Sequence, residues 1–289
     1  MHTIRLFREV NYPGDRGPSR GMYALQRALR EANWPWLKIG SVLHPGEIPW
    51  VWLYRDAEMA VQLALWGWPF ILGPNVLFKN SHLPGCDVNE MVLLDAASCR
   101  LQFTESEWYA ALIQQHCNRN EAPIILWSYP IDPQPDGPLA AKYDLLIYLK
   151  NLGLGREAVL AQECWPNSNT VVYGKYNRDE MIRLARQSRA ALYLSSDDRG
   201  PLAAAEIALA GCPLVGIERG CPWVATPGLG VRLVHFGAPE LWEACEQAVM
   251  MNRDLVRATA LEHFSTNKTV KIIHDALEPI AMGEQSCGG

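Results

Sequence analysis

The segment 128–138 constrains this chain more than any other, because Pro130, Pro133, Pro135, Gly137 and Pro138 crowd into it. Proline lacks an amide hydrogen and fixes φ, so neither a helix interior nor a central strand can run through such a stretch. The chain is thereby cut into two halves, and each must bury a core of its own. A length of 289 residues suits two compact domains better than one. Strand and helix patterns alternate on both sides of the cut, which predicts an α/β fold of two Rossmann-like halves joined by a proline-rich hinge. The expected division is 1–138, 139–265, and a C-terminal helix and tail, 266–289, that packs back on the first domain.

In the first half, Thr3–Arg8 alternates as a strand, Asn11–Gly21 is rich in Gly and Pro, and Met22, Leu25, Ala28 and Leu29 recur at helical spacing. This strand, glycine-rich loop and helix is the opening unit of a doubly wound domain. Lys38–Leu43, Trp50–Tyr54, Pro69–Leu72, Met91–Leu94, Leu101–Phe103 and Ile124–Trp127 read as strands, with helices over Asp56–Trp66 and Glu105–His116. Beyond the cut, Tyr143–Leu149 is a nearly continuous apolar run, the mark of a parallel strand buried on both faces. Glu157–Cys164 is a helix, Thr170–Tyr173 a strand, and Asn177 with Glu180 has capping-box spacing. Ala190–Ser195 is a strand and Pro201–Ala210 a helix with proline in its first turn and Gly211 at its end. Short strands at Leu214–Ile217 and Val231–Val234 precede three terminal helical stretches.

Charge narrows the function. A net charge of −5 argues against a protein built mainly to neutralise a nucleic-acid backbone. Arg5, Arg8, Arg16, Arg20, Arg27, Arg30 and Lys38 form a local basic cluster, either a solvated helix face or a grip for an anion. The eight cysteines form no CxxC pair, so reduced thiols in a cytoplasmic protein fit better than a disulfide framework or a zinc site. No run of 18 apolar residues signals a membrane span.

The most informative stretch runs from Ser195 to Val215. It follows a strand and opens a helix, the place where an open parallel sheet binds ligands. Backbone N–H groups of Gly200, Leu202 and the next residue, beside Pro201, could receive a diphosphate. Glu206 stands on the helix, where a carboxylate can accept hydrogen bonds from a ribose diol.

Asp198 and Glu206, eight apart and followed by Gly211-Cys212-Pro213, resemble the donor site of retaining GT-B glycosyltransferases of the group 1, family 4-like kind. The resemblance implies two facing Rossmann-like domains with the cleft between them, and a nucleotide-sugar donor, most simply a UDP-sugar, bound by the C-terminal domain. It implies retention of anomeric configuration, no metal requirement and an acceptor on the N-terminal side. By resemblance, Glu206 binds the nucleotide ribose and Asp198 contacts the donor sugar, although the family carries a Glu where Asp198 stands. Lys150 and Arg156 occupy the region of the family's diphosphate-binding basic pair, at looser spacing. Gly17 and Arg20 fall in its glycine-rich loop. Asn75, in Gly73-Pro74-Asn75, and His82 fall where the family places a histidine on the transferred sugar.

The sequence leaves the acceptor open. Eight of the eleven tryptophans precede the cut, and the close pairs Trp34/Trp36, Trp50/Trp52 and Trp66/Trp68 suit core packing, with exposed members free to stack on a sugar or a base. A glycan or small-molecule hydroxyl is the first expectation, and a hydroxymethylated base in DNA the alternative. Two rival readings are a nucleotide-sugar epimerase of the same fold and a non-catalytic protein that binds sugar nucleotides.

Overall fold

A computed structural model of the chain describes residues 1–7, 9–10, 17–73, 96–116, 121–132 and 136–284. The expected strand Met91–Leu94, together with Asn75 and His82, lies outside the described residues. Two compact units emerge: Met1–Pro130 with the segment from Thr266 onward, and Ile131–Ser265.

The first unit contains β1 (Ile4–Phe7), α1 (Gly17–Ala32), β2 (Leu37–Gly40), β3 (Ile48–Val51), α2 (Leu53–Leu65), β4 (Phe70–Leu72), β5 (Cys99–Thr104), α3 (Glu107–His116) and β6 (Ile124–Leu126). Among the described residues six strands pair in parallel in the order β2-β1-β3-β4-β5-β6. Val51, Phe70 and Leu72 bury one face against Ala60, Leu63, Tyr109 and Ile113 of α2 and α3.

Helix α1 begins at Gly17, earlier than the apolar periodicity indicates, so Gly17 and Arg20 lie in helical turns rather than in a loop. Gly21 is inside this helix because a Cβ there would sit 2.8 Å from the Tyr129 ring. A glycine inside a helix costs about 1 kcal/mol relative to Ala, and the close approach of Tyr129 offsets it. The tryptophan pairs divide: Trp50 and Trp52 are buried, and Trp66 is exposed. Two members of the basic cluster are engaged within the unit, Arg5 bonded to Glu47 at 2.6 Å and Arg30 to Glu9 at 2.7 Å, and Arg8 and Arg16 lie outside the described residues.

The second unit contains β7 (Tyr143–Leu149), α4 (Gly155–Cys164), β8 (Ser168–Val172), α5 (Arg178–Gln187), β9 (Ser188–Leu194), α6 (Leu202–Leu209), β10 (Leu214–Ile217), β11 (Gly230–Leu233), α7 (Ala238–Val249) and α8 (Arg253–His263). Its strands run in parallel in the order β11-β10-β9-β7-β8. Alternation along β7 explains the apolar run. Leu145, Ile147 and Leu149 pack with Ala158, Leu241 and Ala248 of α4 and α7. Leu146 and Tyr148 face the other way, into the core that holds Ile182, Ala205 and Ala260 of α5, α6 and α8.

Asn177 caps α5 as its spacing predicts, accepting from the N–H groups of Asp179 and Glu180. Helix α6 starts one residue later than expected. Pro201 is its N-cap, with φ −68° and ψ 105°, and not its first turn. At the other end Gly211 takes φ +78°, and Arg253 bonds its carbonyl together with those of Leu139 and Arg186.

The C-terminal helix, α9 (Thr266–Met282), belongs to the first unit. There Thr269 donates to the Ser128 carbonyl at 2.9 Å, and Trp34 meets the His274 ring. No described helix is long and apolar enough to cross a membrane.

Burial in the second unit pushes the thiols of Cys212, Cys221 and Cys245 up to about 12. An unfolded thiol ionises near about 8.5, so the folded unit keeps protons that the unfolded chain gives up. The stabilisation is complete below that pH and declines as pH rises toward the folded value. Each thiol should remove about 1.4 kcal/mol per pH unit in this range. Urea midpoints should therefore fall between pH 8 and 9.5, and less steeply once the three are replaced by Ala. Equal slopes in both proteins would contradict the assignment.

Candidate functional site

The strand order of the second unit reverses direction between β7 and β9: β7 is followed by β8 on one side, and β9 by β10 on the other. Connections leaving such neighbours diverge, which opens a crevice at their carboxyl ends. Lys150 follows β7 directly, its N–H bonded to the Leu194 carbonyl at 3.0 Å. The loop 195–201 follows β9. The two elements that frame the crevice therefore supply the residues at its floor.

Three contacts fix that loop. Asn151 Oδ1 accepts from the Ser196 N–H at 3.1 Å. The Asp198 N–H donates to the Arg219 carbonyl at 2.8 Å. The Trp223 indole donates to the Pro201 carbonyl at 3.1 Å. Gly220 completes the fit, since a Cβ there would come within 1.6 Å of the Ser195 carbonyl oxygen. The loop is thus held from the ends of β7 and β10 as well as from its own strand.

On this frame Lys150 Nζ forms an ion pair with Asp198 Oδ2, both side chains largely buried. Lys150 Nζ also lies 5.7 Å from the centre of the Tyr173 ring, within cation–π range. On the helix that follows the loop Glu206, 6% exposed, accepts from Arg178 Nε at 2.6 Å. Three tyrosines of the same unit pack on one another. The hydroxyls of Tyr148 and Tyr176 are 3.0 Å apart, and Tyr193 stacks on Tyr148 at 4.8 Å. Burial holds the phenols of Tyr148 and Tyr193 well above their ordinary range, so both stay neutral.

The sequence-derived candidates thus separate. Asp198 and Lys150 meet, and Glu206, Gly200, Pro201 and Leu202 stand in the same strand–loop–helix unit. Arg156 lines a cavity with Trp165 and Trp242. Gly17 and Arg20 belong to α1 of the first unit. Asn75 and His82 fall outside the described residues. Sequence reading missed Arg178, Asn151 and Tyr173. Arg178 follows a helix cap and reads as a solvated charge, and nothing local announces a partner 28 residues away. Among the described residues no group of three or more His, Cys, Asp or Glu side chains is arranged to hold a metal.

The first unit also carries buried polar residues where its strands end. Thr104 and Ser106 flank Glu105, which is 7% exposed, and Ser128 and Tyr129 follow β6. Burial raises the Tyr129 phenol well above its usual range, and the Glu105 charge adds to the effect.

No family model matches the chain, and no curated protein sequence does. Solved structures do match. Sucrose-phosphate synthase from Thermosynechococcus elongatus matches over 98% of this chain and 100% of its own, with a TM-score of 0.65 at 12% identity. HepE from Anabaena, in complex with UDP and glucose, gives 0.60 at 12% identity over 96% of this chain and 100% of its own. AviGT4, a glycosyltransferase involved in avilamycin A biosynthesis, gives 0.55 at 14% identity over 98% of both chains. The fold is that of the GT-B glycosyltransferases. Within this GT-B chain the acid pair and its cations lie at the switch point of the second sheet.

Removing Arg178 leaves Glu206 as a buried carboxylate without its cation, which is costly even though Arg178 itself is partly exposed. Arg178→Met should destabilise the chain by about 2 kcal/mol, and adding Glu206→Gln should recover most of that loss. Urea unfolding of the single and double variants checks this, and strictly additive losses would count against a direct pairing.

Proposed function

We propose that the chain is a glycosyltransferase that moves a hexose from a UDP-sugar to a hydroxyl acceptor with retention of configuration and without a metal. The observation that carries this reading is the pairing of Lys150 with Asp198 at the switch point, with the buried Glu206 about one turn into the helix that follows. HepE, which shares the fold, has been seen with UDP-glucose bound.

In this reading Glu206 accepts hydrogen bonds from the ribose hydroxyls, and Arg178 keeps its carboxylate aimed. The diphosphate lies against Lys150 and the free N–H groups at the start of α6, whose dipole favours negative charge. As the bond from the anomeric carbon to the diphosphate breaks, charge grows on the leaving oxygen and positive character on the sugar. Lys150 and the helix start meet the first, and Asp198 meets the second. Donor binding draws Lys150 toward the phosphate, and Asp198 is then released to face the sugar. The acceptor in this reading is a glycan or small-molecule hydroxyl, since a net charge of −5 disfavours a phosphate-rich one such as DNA.

The variants separate binding from chemistry. UDP-glucose at one hundred times its Kd should stabilise the wild type by about 2.7 kcal/mol. Glu206→Gln should weaken that binding about 100-fold, the loss of two charge-assisted hydrogen bonds. Asp198→Asn should bind UDP at least as well as the wild type, because Lys150 is freed, yet lose transfer by at least about 100-fold. Thermal shift and product formation followed by NMR make the comparison. A product of inverted configuration, or an Asp198→Asn variant that still transfers sugar, overturns the mechanism.

A further inference from the structure

Helices α4 and α7 cover one face of the second sheet, and between them lies a cavity of about 310 Å³. Trp165, Phe236, Leu241 and Trp242 are among its walls, and its charged walls are Arg156 and Glu157. The two indoles lie 5.6 Å apart at an angle of 35°. The volume falls in the range of small-molecule sites, which combine apolar walls with a few polar groups.

Two of these residues carry unmet hydrogen-bonding capacity. Trp165 Nε1 and Glu157 Oε2 are buried and have no hydrogen-bond partner among the described residues. Glu157 is only half-buried, so its carboxylate offers an acceptor at this wall. The guanidinium of exposed Arg156 adds a positive charge at this cavity.

We propose that this cavity is a second ligand site, separate from the donor site, for a planar aromatic molecule that bears an acidic substituent. The ring packs among the indoles, Phe236 and Leu241. A ring N–H or O–H serves Glu157, and the acidic group pairs with Arg156. A sugar is the poorer occupant, because carbohydrate recognition needs more hydrogen-bonding side chains than the two charged ones here. The inference does not rest on the transferase reading, since none of these groups takes part in it.

The full-length chain can be titrated with anilinonaphthalene sulfonate and with its uncharged relative N-phenylnaphthylamine, exciting through tryptophan. The wild type should bind one equivalent of the sulfonate, about tenfold more tightly than the neutral compound. Arg156→Gln should erase that difference. Ala161→Leu, which fills the cavity from its buried wall, and Trp242→Ala, at the partly exposed wall, should each weaken both probes by about tenfold or more. UDP-glucose should not displace either probe, and Glu206→Gln should leave both titrations unchanged, whatever the fate of the transferase reading. Equal affinity for the two probes in the wild type overturns the proposal. So does binding that survives Ala161→Leu in a folded protein, or displacement by methyl glucoside.

Discussion

The candidate site depends on the loop 195–201 being held from outside itself. Left alone, a loop rich in Ser, Asp and Gly would sample many conformations and place Asp198 nowhere in particular. Here Asn151, the Arg219 carbonyl and the Trp223 indole each take one of its backbone groups. The absence of a side chain on Gly220 lets the neighbouring connection close against Ser195. These restraints come from the ends of β7 and β10, so the geometry of the loop follows from the register of the sheet. Packing of β7 and β9 on both faces keeps that register fixed.

The charges then follow a simple rule. Two carboxylates, Asp198 and Glu206, are withdrawn from water, and each has a cation beside it, Lys150 and Arg178. Buried charge is tolerated only when paired, so each cation is as much a condition of the site as its acid. The two pairs differ in what they permit. Arg178 bonds Glu206 from a helix start whose cap is fixed by Asn177, and this favours a constant orientation. Lys150 is a single flexible amine that can exchange one anionic partner for another. In the proposed mechanism that exchange is what a charged ligand brings about.

Much of this was legible in the sequence. The two α/β halves, the double-faced burial of β7 and the cap at Asn177 all follow from periodicity and local chemistry. The acid pair at 198 and 206 was found from its strand–loop–helix setting and a family resemblance. Element ends were less legible. Pro201 reads as a first-turn proline but stands just outside the helix. Gly21 reads as loop but lies in α1, because the demand for a glycine comes from Tyr129, far along the chain. Arg178 was missed for a similar reason, since its partner is set by the packing of α5 against α6. Arg156, read with Lys150 as a basic pair, stands in the first turn of α4 and lines the α4–α7 cavity. Contacts between distant residues leave no local mark, and these are the ones that escaped.

The most direct test is a crystal structure of the chain with UDP bound. The account predicts ribose hydroxyls within hydrogen-bond distance of Glu206, with the diphosphate against Lys150 and the N–H groups that open α6. A nucleotide bound elsewhere, or one that leaves the Lys150–Asp198 pair intact and Glu206 untouched, would contradict it.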